Sequence, residues 1–97
     1  MRFEIVLAPE ALRDAKKLDR DVWAGVRGAI ERHLRHEPAK LSRSRIKRLR
    51  GLRKPQFRLR VGDVRIFYDV VGSQVHVLAI VSKSTAATWL EELGEPE

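Results

Sequence analysis

Apolar and polar residues alternate with a period of two in four stretches of the chain. The first stretch is Arg2–Ala8, and the other three follow one another in the second half, at Gln56–Val61, Val64–Val71 and Gln74–Val81. Such alternation is typical of β-strands that bury one face and expose the other. The pattern therefore predicts an N-terminal strand and, much later in the chain, three consecutive strands.

Helical periodicity fills the region between the first strand and the other three. Apolar residues recur at helical spacing from Pro9 to about Leu18, and again from about Val22 to His36. Asp19 or Asp21 can cap the second helix, and Pro38 ends it. Two consecutive helices of this kind predict an antiparallel helical hairpin.

The remaining segments are a middle stretch without a clear period and a C-terminal helix. Gly51 and Pro55 interrupt the middle stretch, in which "IKRLRG" could be a short strand or an extended loop. Ser84 or Thr85 can cap the last helix, which runs to about Leu93. Together the elements predict an α+β fold in one domain, residues 1–97. A small antiparallel sheet carries the helical hairpin on one face.

The turn residues Gly62-Asp63 fix how the strands pair, because this dipeptide suits a tight two-residue hairpin. In that register Arg60 opposes Arg65, and opposed residues share a face of the sheet. The predicted core face carries Phe57, Leu59, Val61, Val64, Ile66, Tyr68 and Val70. The predicted arginine face carries Arg58, Arg60, Arg65, Phe67 and Asp69.

A second turn, Gly72-Ser73, extends both faces onto the last strand. It predicts Val75, Val77, Ala79 and Val81 on the core face. It predicts His76, Leu78, Ile80 and Ser82 on the arginine face, with His76 opposite Asp69. The C-terminal helix or a partner protein could cover the apolar middle of the arginine face.

Basic residues are in excess and are unevenly distributed along the chain. The chain has 20 Lys and Arg residues against 13 acidic ones, a net charge of +7. No acid falls between Pro38 and Gly62, and we call Lys40–Lys54 within that window the basic segment. This segregation indicates an anionic partner: nucleic acid, an acidic protein segment or a membrane surface.

Composition argues against several kinds of stabilising site and against a membrane location. The chain has no cysteine and only three histidines, which argues against a disulfide framework and a zinc site. No apolar run approaches the length of a membrane span, and the N-terminus is unlike a signal peptide. A cytoplasmic protein without a membrane partner is therefore expected.

Arg60 opposite Arg65 is a local conflict, because like charges directly opposed in a sheet are unfavourable. Either an anion binds there, or nearby acids such as Asp63 and Asp69 neutralise the arginines, or the guanidinium groups splay into water. Guanidinium pairs well with phosphate, so a phosphodiester is the expected ligand.

Acid and base groups for catalysis are less evident. His76 with Asp69 is one imaginable pair, Lys83 could reach the Arg65 end of the sheet, and Tyr68 on the core face is interpreted as structural.

Three motifs carry a resemblance to a known family. Leu49-Arg50-Gly51, Arg58-Leu59-Arg60 and Val64–Tyr68 resemble the pattern typical of the RelE/ParE superfamily of bacterial type II toxins. The similarity covers nearly the whole chain. It implies a compact α+β fold and a co-expressed antitoxin, of RelB or Phd/YefM type, that covers the active face. RelE-like members cleave mRNA on the ribosome without a metal or other cofactor.

The resemblance also implies site residues. Arg58 matches a catalytic lysine position, Arg65 matches the arginine that stabilises the phosphate transition state, and Lys83 stands where such enzymes have a further cation. The residues expected to bind RNA are Lys47, Arg48, Arg50, Arg53, Lys54 and Arg60. No tyrosine follows Tyr68, so the acid–base partner is not identified. The alternatives are a ParE-like inhibitor of DNA gyrase and a degenerate toxin that only binds RNA or regulates.

Overall fold

The computed structural model describes residues 1–97 and contains three helices and seven strands. The helices are α1 (Pro9–Lys16), α2 (Arg20–Leu34) and α3 (Lys83–Leu93). The strands are β1 (Glu4–Leu7), β2 (Ile46–Arg48), β3 (Leu52–Lys54), β4 (Phe57–Val61), β5 (Val64–Val71), β6 (Gln74–Ser82) and β7 (Glu95–Pro96).

Five of the strands form the main sheet, in the order β1-β6-β5-β4-β2. Four of them pair antiparallel, as predicted, whereas β1 lies parallel to β6, so the sheet is mixed. The α+β architecture is confirmed. The stretch "IKRLRG" contributes the edge strand β2, and β3 pairs separately with β7 at the C-terminus.

The helical hairpin of α1 and α2 covers one face of this sheet, as its apolar stripes predict. The core includes Ala11, Ala15, Val26, Ala29, Ile30 and Leu34 from the helices, and Leu59, Ile66, Tyr68, Val75 and Val77 from the strands. The backbone also ties the hairpin to the sheet, because the Phe3 N–H donates to the Arg35 carbonyl at 2.7 Å. None of the three helices is both long enough and apolar enough to cross a membrane.

The predicted register of the β4–β5 hairpin is confirmed along its whole length. Val61 pairs with Val64, Arg60 with Arg65, and Phe57 with Tyr68. Gly62 makes the turn possible, because it has a φ of 56°, a conformation that residues with a side chain seldom adopt. The arginines of β4 and β5 therefore do share one face.

The predicted pairing of β5 with β6 is correct from the Gly72-Ser73 turn back to Tyr68, which pairs with Val77. An irregularity follows, so Phe67 pairs with Ala79, Ile66 with Ile80 and Arg65 with Val81. The predictions for the end of β6 were therefore wrong: Ile80 belongs to the core, Ala79 and Val81 lie on the arginine face, and Ser82 opposes Val64. Leu78 is the extra residue on β6.

A contact from α1 accompanies this bulge. The Asp14 carboxylate accepts a hydrogen bond from the Ile80 N–H at 2.9 Å. A bulge disrupts the ladder and needs other partners for its backbone groups. Asp14 supplies one from a helix 66 positions away in sequence, which no local pattern indicates.

The C-terminal helix α3 covers the apolar middle of the arginine face. The ring of Trp89 stacks on that of Phe67, with centroids 5.1 Å apart and planes 19° from parallel. Phe67 and Ala79 are fully buried although they lie on the face opposite the helical hairpin. The helix therefore leaves exposed only the part of this face that carries the charges.

Candidate nucleic-acid interface

Four cations from three adjacent strands lie on the part of the arginine face that α3 does not cover. Lys47 of β2 pairs with Arg58 of β4, and Arg60 of β4 pairs with Arg65 of β5. Phe67, which pairs with Arg58, lies on the same face. Because paired residues point to the same side of a sheet, the strands gather the four side chains into one patch. The patch is the charged part of the arginine face.

Arg65 is the most buried member of the patch, with 8% of its surface exposed. Its Nη1 donates to the carbonyl oxygens of Gly62 at 2.8 Å and Val64 at 3.1 Å. Both acceptors are neutral, so the hairpin orients the guanidinium group without cancelling its charge. A buried cation without a carboxylate attracts an anion strongly.

Arg58 is half-buried, and its Nε is enclosed without a hydrogen-bond acceptor. Burial lowers the pKa of Arg58, and the charges of Arg65 and Arg60 lower it further. An unmatched buried donor costs free energy. The fold therefore keeps at this position a positive charge that no acid cancels and that an anionic ligand would offset.

The nearby acids do not neutralise these arginines. The ion pairs of the structure are Arg35–Glu31, Lys40–Glu37 and Arg53–Glu95, and none involves the arginine face. The Asp69 carboxylate instead accepts a hydrogen bond from the Gln56 N–H at 2.7 Å. Of the explanations open at the sequence level, neutralisation by Asp63 or Asp69 is excluded by this geometry.

Lys83 is brought to the Arg65 end of the sheet. It is the first residue of α3, and its N–H donates to the carbonyl of Asp63 in the β4–β5 turn at 2.7 Å. Its side chain is exposed. The backbone bond therefore fixes the start of α3 beside the hairpin that holds Arg65.

The other predicted RNA-binding residues are spread over several surfaces. Arg48 opposes Phe57, and its guanidinium carbon lies 5.5 Å from the centre of that ring. Arg50 is exposed between β2 and β3, and Arg53 pairs with Glu95 of the C-terminal strand. Lys54 ends β3 and is exposed. The structure thus brings Lys47 and Arg60 to the catalytic candidates and leaves the remaining four apart from them.

The candidate acid–base groups are tied into the fold. The Tyr68 hydroxyl donates to the Pro38 carbonyl at 2.6 Å, and burial raises the pKa of Tyr68 far above its usual value. His76 opposes Asp69 as predicted, but its Nε2 hydrogen-bonds Gln74 at 2.8 Å instead. The arginine face is therefore rich in cations and offers no histidine or tyrosine poised for proton transfer.

Sequence reasoning missed Val81, which opposes Arg65, and the Glu95 contact of Arg53. Val81 was assigned to the other face because the bulge has no local signal. The C-terminal Glu95 could have been suspected from the acidic end of the chain, which lies beside the basic segment.

The fold has counterparts among solved structures. The RelBE2 toxin–antitoxin complex of Mycobacterium tuberculosis contains a chain with 24% identity and a TM-score of 0.66, and the match covers 84% of this chain and 99% of that one. A chain in the RelE–RelB complex of Pyrococcus horikoshii OT3 has 17% identity and a TM-score of 0.70, covering 86% and 97%. A free, mutated Escherichia coli toxin RelE has 17% identity and a TM-score of 0.58, covering 96% and 99%.

The similarity to these structures establishes the fold of this chain. The sequence itself identifies the family, because residues 5–87 match the ParE toxin of the type II toxin–antitoxin system parDE. The chain belongs to this family, within the RelE/ParE superfamily of type II toxins. Among curated proteins, none matches the sequence.

Proposed function

We propose that this toxin is a metal-independent mRNA endoribonuclease that acts on the ribosome and so inhibits translation. The observation that carries the proposal is the buried, carboxylate-free guanidinium of Arg65, next to the unsatisfied Nε of Arg58. A phosphodiester would offset the uncancelled charges of these guanidinium groups. The basic segment, together with Arg60, would hold the surrounding RNA.

The chemistry that suits such a face is attack by a ribose 2′-hydroxyl on the adjacent phosphorus. The O2′–P bond forms and the O2′–H and P–O5′ bonds break; solvent water would take the 2′ proton and supply one to the leaving oxygen, which leaves a 2′,3′-cyclic phosphate and a free 5′-hydroxyl. Negative charge grows on the equatorial oxygens in the transition state, where fixed cations stabilise it. Arg58 and Arg65 would bind these oxygens, and Lys83 would provide a further cation near the leaving oxygen.

The proposal is tested by expressing the chain under a tight promoter and mapping mRNA ends. New ends phased with codons are expected, together with arrest of growth. Arg65→Ala should abolish both, since it removes the buried cation, whereas Arg13→Ala on an exposed part of α1 should remain toxic. Growth arrest with intact mRNA would refute the nuclease assignment, and a folded but fully toxic Arg65→Ala protein would refute the role of Arg65.

A second candidate function is inhibition of DNA gyrase without cleavage of RNA. Two observations favour it: the family match is to the ParE toxin, and the arginine face has no poised histidine or tyrosine. Double-strand breaks and an induced DNA-damage response, with intact mRNA, are the results expected in that case.

The expected partner is a cognate antitoxin of the RelB or Phd/YefM type, encoded next to the toxin and acting in the cytoplasm. Similar folds occur in RelB–RelE complexes, which supports this partner. Co-expression of a small neighbouring gene should restore growth, and its product should co-purify with the toxin. Failure of every neighbouring gene to protect the cell would count against the pairing.

A further inference from the structure

A second group of cations lies where the end of α2 meets the loop before β2. Ile46 of this region opposes Leu59, so it lies on the core side of the sheet, away from the arginine face. The side chains enclose a cavity of about 210 Å³. We call it the basic cavity, and its charged and polar lining includes Arg32, His33, His36, Lys40, Ser42 and Arg45.

The cations of the basic cavity are mostly unpaired. Neither the Arg32 nor the Arg45 guanidinium forms a hydrogen bond or an ion pair, and Glu37, the acid that lines the cavity, faces Lys40 at 3.6 Å. Arg35 on the same helix behaves differently, because it binds Glu31 and the Phe3 carbonyl. The lining therefore keeps two guanidinium groups available.

Helix electrostatics explain only part of this cluster. Arg32 and His33 lie in the last turn of α2, where cations are favourable. Arg45 belongs to the loop, and a turn centred on Ser42 brings it there: the Ser42 Oγ accepts the N–H groups of Arg45 and Ile46, each at 2.9 Å. Burial lowers the pKa of His33, and the charges of Arg45 and Arg32 lower it further. The cations therefore repel one another.

We propose that the basic cavity binds a phosphate of an RNA backbone, at a site separate from the arginine face. Two guanidinium groups and two imidazoles provide the donors that phosphate needs. A water molecule occupies about 30 Å³ in the liquid, so the cavity has room for a phosphate group. Leu41 and Ile46 are the only apolar residues of its lining, which favours a phosphate over a docked protein segment, since protein interfaces depend on apolar anchors.

The position of the cavity defines the kind of RNA. The arginine face and the cavity lie on opposite sides of the edge strand β2, and the Arg60 N–H donates to the Arg45 carbonyl at 2.9 Å, so the two sites are neighbours around one edge of the sheet. We therefore assign to the cavity a folded RNA, whose backbone can present phosphates to both sides of this edge. The proposal rests on the RNA-holding role proposed for the basic segment, extends it to Arg32, His33 and His36 at the end of α2, and does not depend on cleavage at the arginine face.

The first experiment uses inorganic phosphate and NMR on the full chain. The imidazole signals of His33 are followed from pH 5 to 8 with and without phosphate. Bound phosphate offsets the charges of Arg32 and Arg45, so the pKa of His33 should rise. An unchanged His33 titration at saturating phosphate would overturn the proposal.

The second experiment uses an RNA hairpin and two charge-matched double variants. Arg32→Gln with Arg45→Gln should weaken hairpin binding about tenfold, as expected for loss of charged hydrogen bonds to one phosphate. It should also reduce the salt slope by about 0.7–0.9. Arg13→Gln with Arg27→Gln removes the same charge from exposed helix positions and should have a smaller effect.

The outcomes separate the two proposals. Equal losses in both double variants would mean general attraction by net charge and would overturn the cavity site. Unchanged RNA binding with lost antitoxin binding would also overturn it, in favour of an acidic protein ligand. Arg65→Ala should abolish toxicity and leave the Arg32- and Arg45-dependent binding intact, so failure of the nuclease proposal would not be mistaken for failure of this one.

Discussion

Arg65 and Tyr68 lie three residues apart on β5, and their environments give them opposite roles. Arg65 keeps an uncancelled charge, because its partners are backbone carbonyls of its own hairpin. Tyr68 is fully buried on the other face, and its hydroxyl donates a hydrogen bond to the Pro38 carbonyl. Alternation along one strand thus separates a group suited to a ligand from a group that holds the loop after α2.

Replacing Tyr68 with Phe should lower stability and leave toxicity intact. The change leaves the Pro38 carbonyl without its partner, so the free energy of unfolding should fall by about 1–3 kcal/mol. Urea unfolding measures the loss, and growth arrest on induction measures toxicity. A stably folded variant that has lost its toxicity would show that the hydroxyl takes part in function.

His33 should make stability depend on pH. Its pKa is lowered in the folded state by burial and by Arg45 and Arg32, so the unfolded chain binds the proton more readily. The contribution of neutral His33 to stability is full above about pH 6.5, the usual pKa of histidine. It is lost as the pH falls through the lower pKa that His33 has in the folded protein.

The measurement is urea unfolding between pH 5 and 8 in a buffer free of phosphate. Stability should fall toward pH 5. Arg45→Gln should weaken that dependence, because it removes one of the charges that lower the pKa, and Arg13→Gln should not. A pH dependence identical in all three proteins would contradict this explanation.

Among the elements, the hairpins differ in how far the sequence determines their pairing. The β4–β5 register follows from the turn, since Gly62-Asp63 fixes which residues oppose each other. The far half of β6 does not follow from its turn, because at the bulge the Ile80 N–H donates a hydrogen bond to the Asp14 carboxylate of α1. The two cationic sites differ in the same way. The arginine face was predictable from alternation and turn chemistry. The basic cavity was not, since it needs the approach of Arg45 to the end of α2.

Replacing Asp14 with Ala should destabilise the bulge in β6. The Ile80 N–H would lose its acceptor, which should lower the free energy of unfolding by about 1–3 kcal/mol. Asp14→Asn keeps an acceptor oxygen and should lose less. Hydrogen exchange of the Ile80 amide measures the effect at its source, and equal protection in the wild type and Asp14→Ala would show that the contact does not hold the bulge.

For the molecule as a whole, the acidic C-terminus covers part of the basic segment. β7 pairs with β3, Glu95 binds Arg53, and the Glu97 N–H donates to the Gly51 carbonyl at 3.2 Å. The chain therefore neutralises locally some of the charge that would otherwise attract nucleic acid. The arginine face and the basic cavity are left without such cover.

Removal of residues 95–97 should strengthen RNA binding at low salt. The truncation deletes Glu95 and Glu97 and releases Arg53, so affinity should rise several-fold at low salt, and the gain should shrink as salt screens the charges. Stability should fall, because the truncation also removes the β3–β7 pairing and the Glu97–Gly51 backbone hydrogen bond, whereas the exposed ion pair itself contributes less than about 1 kcal/mol. Glu91→Gln with Glu92→Gln removes two exposed acids from α3 and is the control; an equal gain there would show that only net charge matters.

The parallel pairing of β1 with β6 has a consequence for the newly made chain. Glu4 is translated 70 residues before its partner Gln74, so β1 waits for β6. Pairings this distant along the chain form slowly, and until then the apolar side of the helical hairpin has no finished sheet to cover. A nascent chain halted before β6 would therefore be a target for chaperones and proteases, and the arginine face would be complete only after β6 and α3 have been translated.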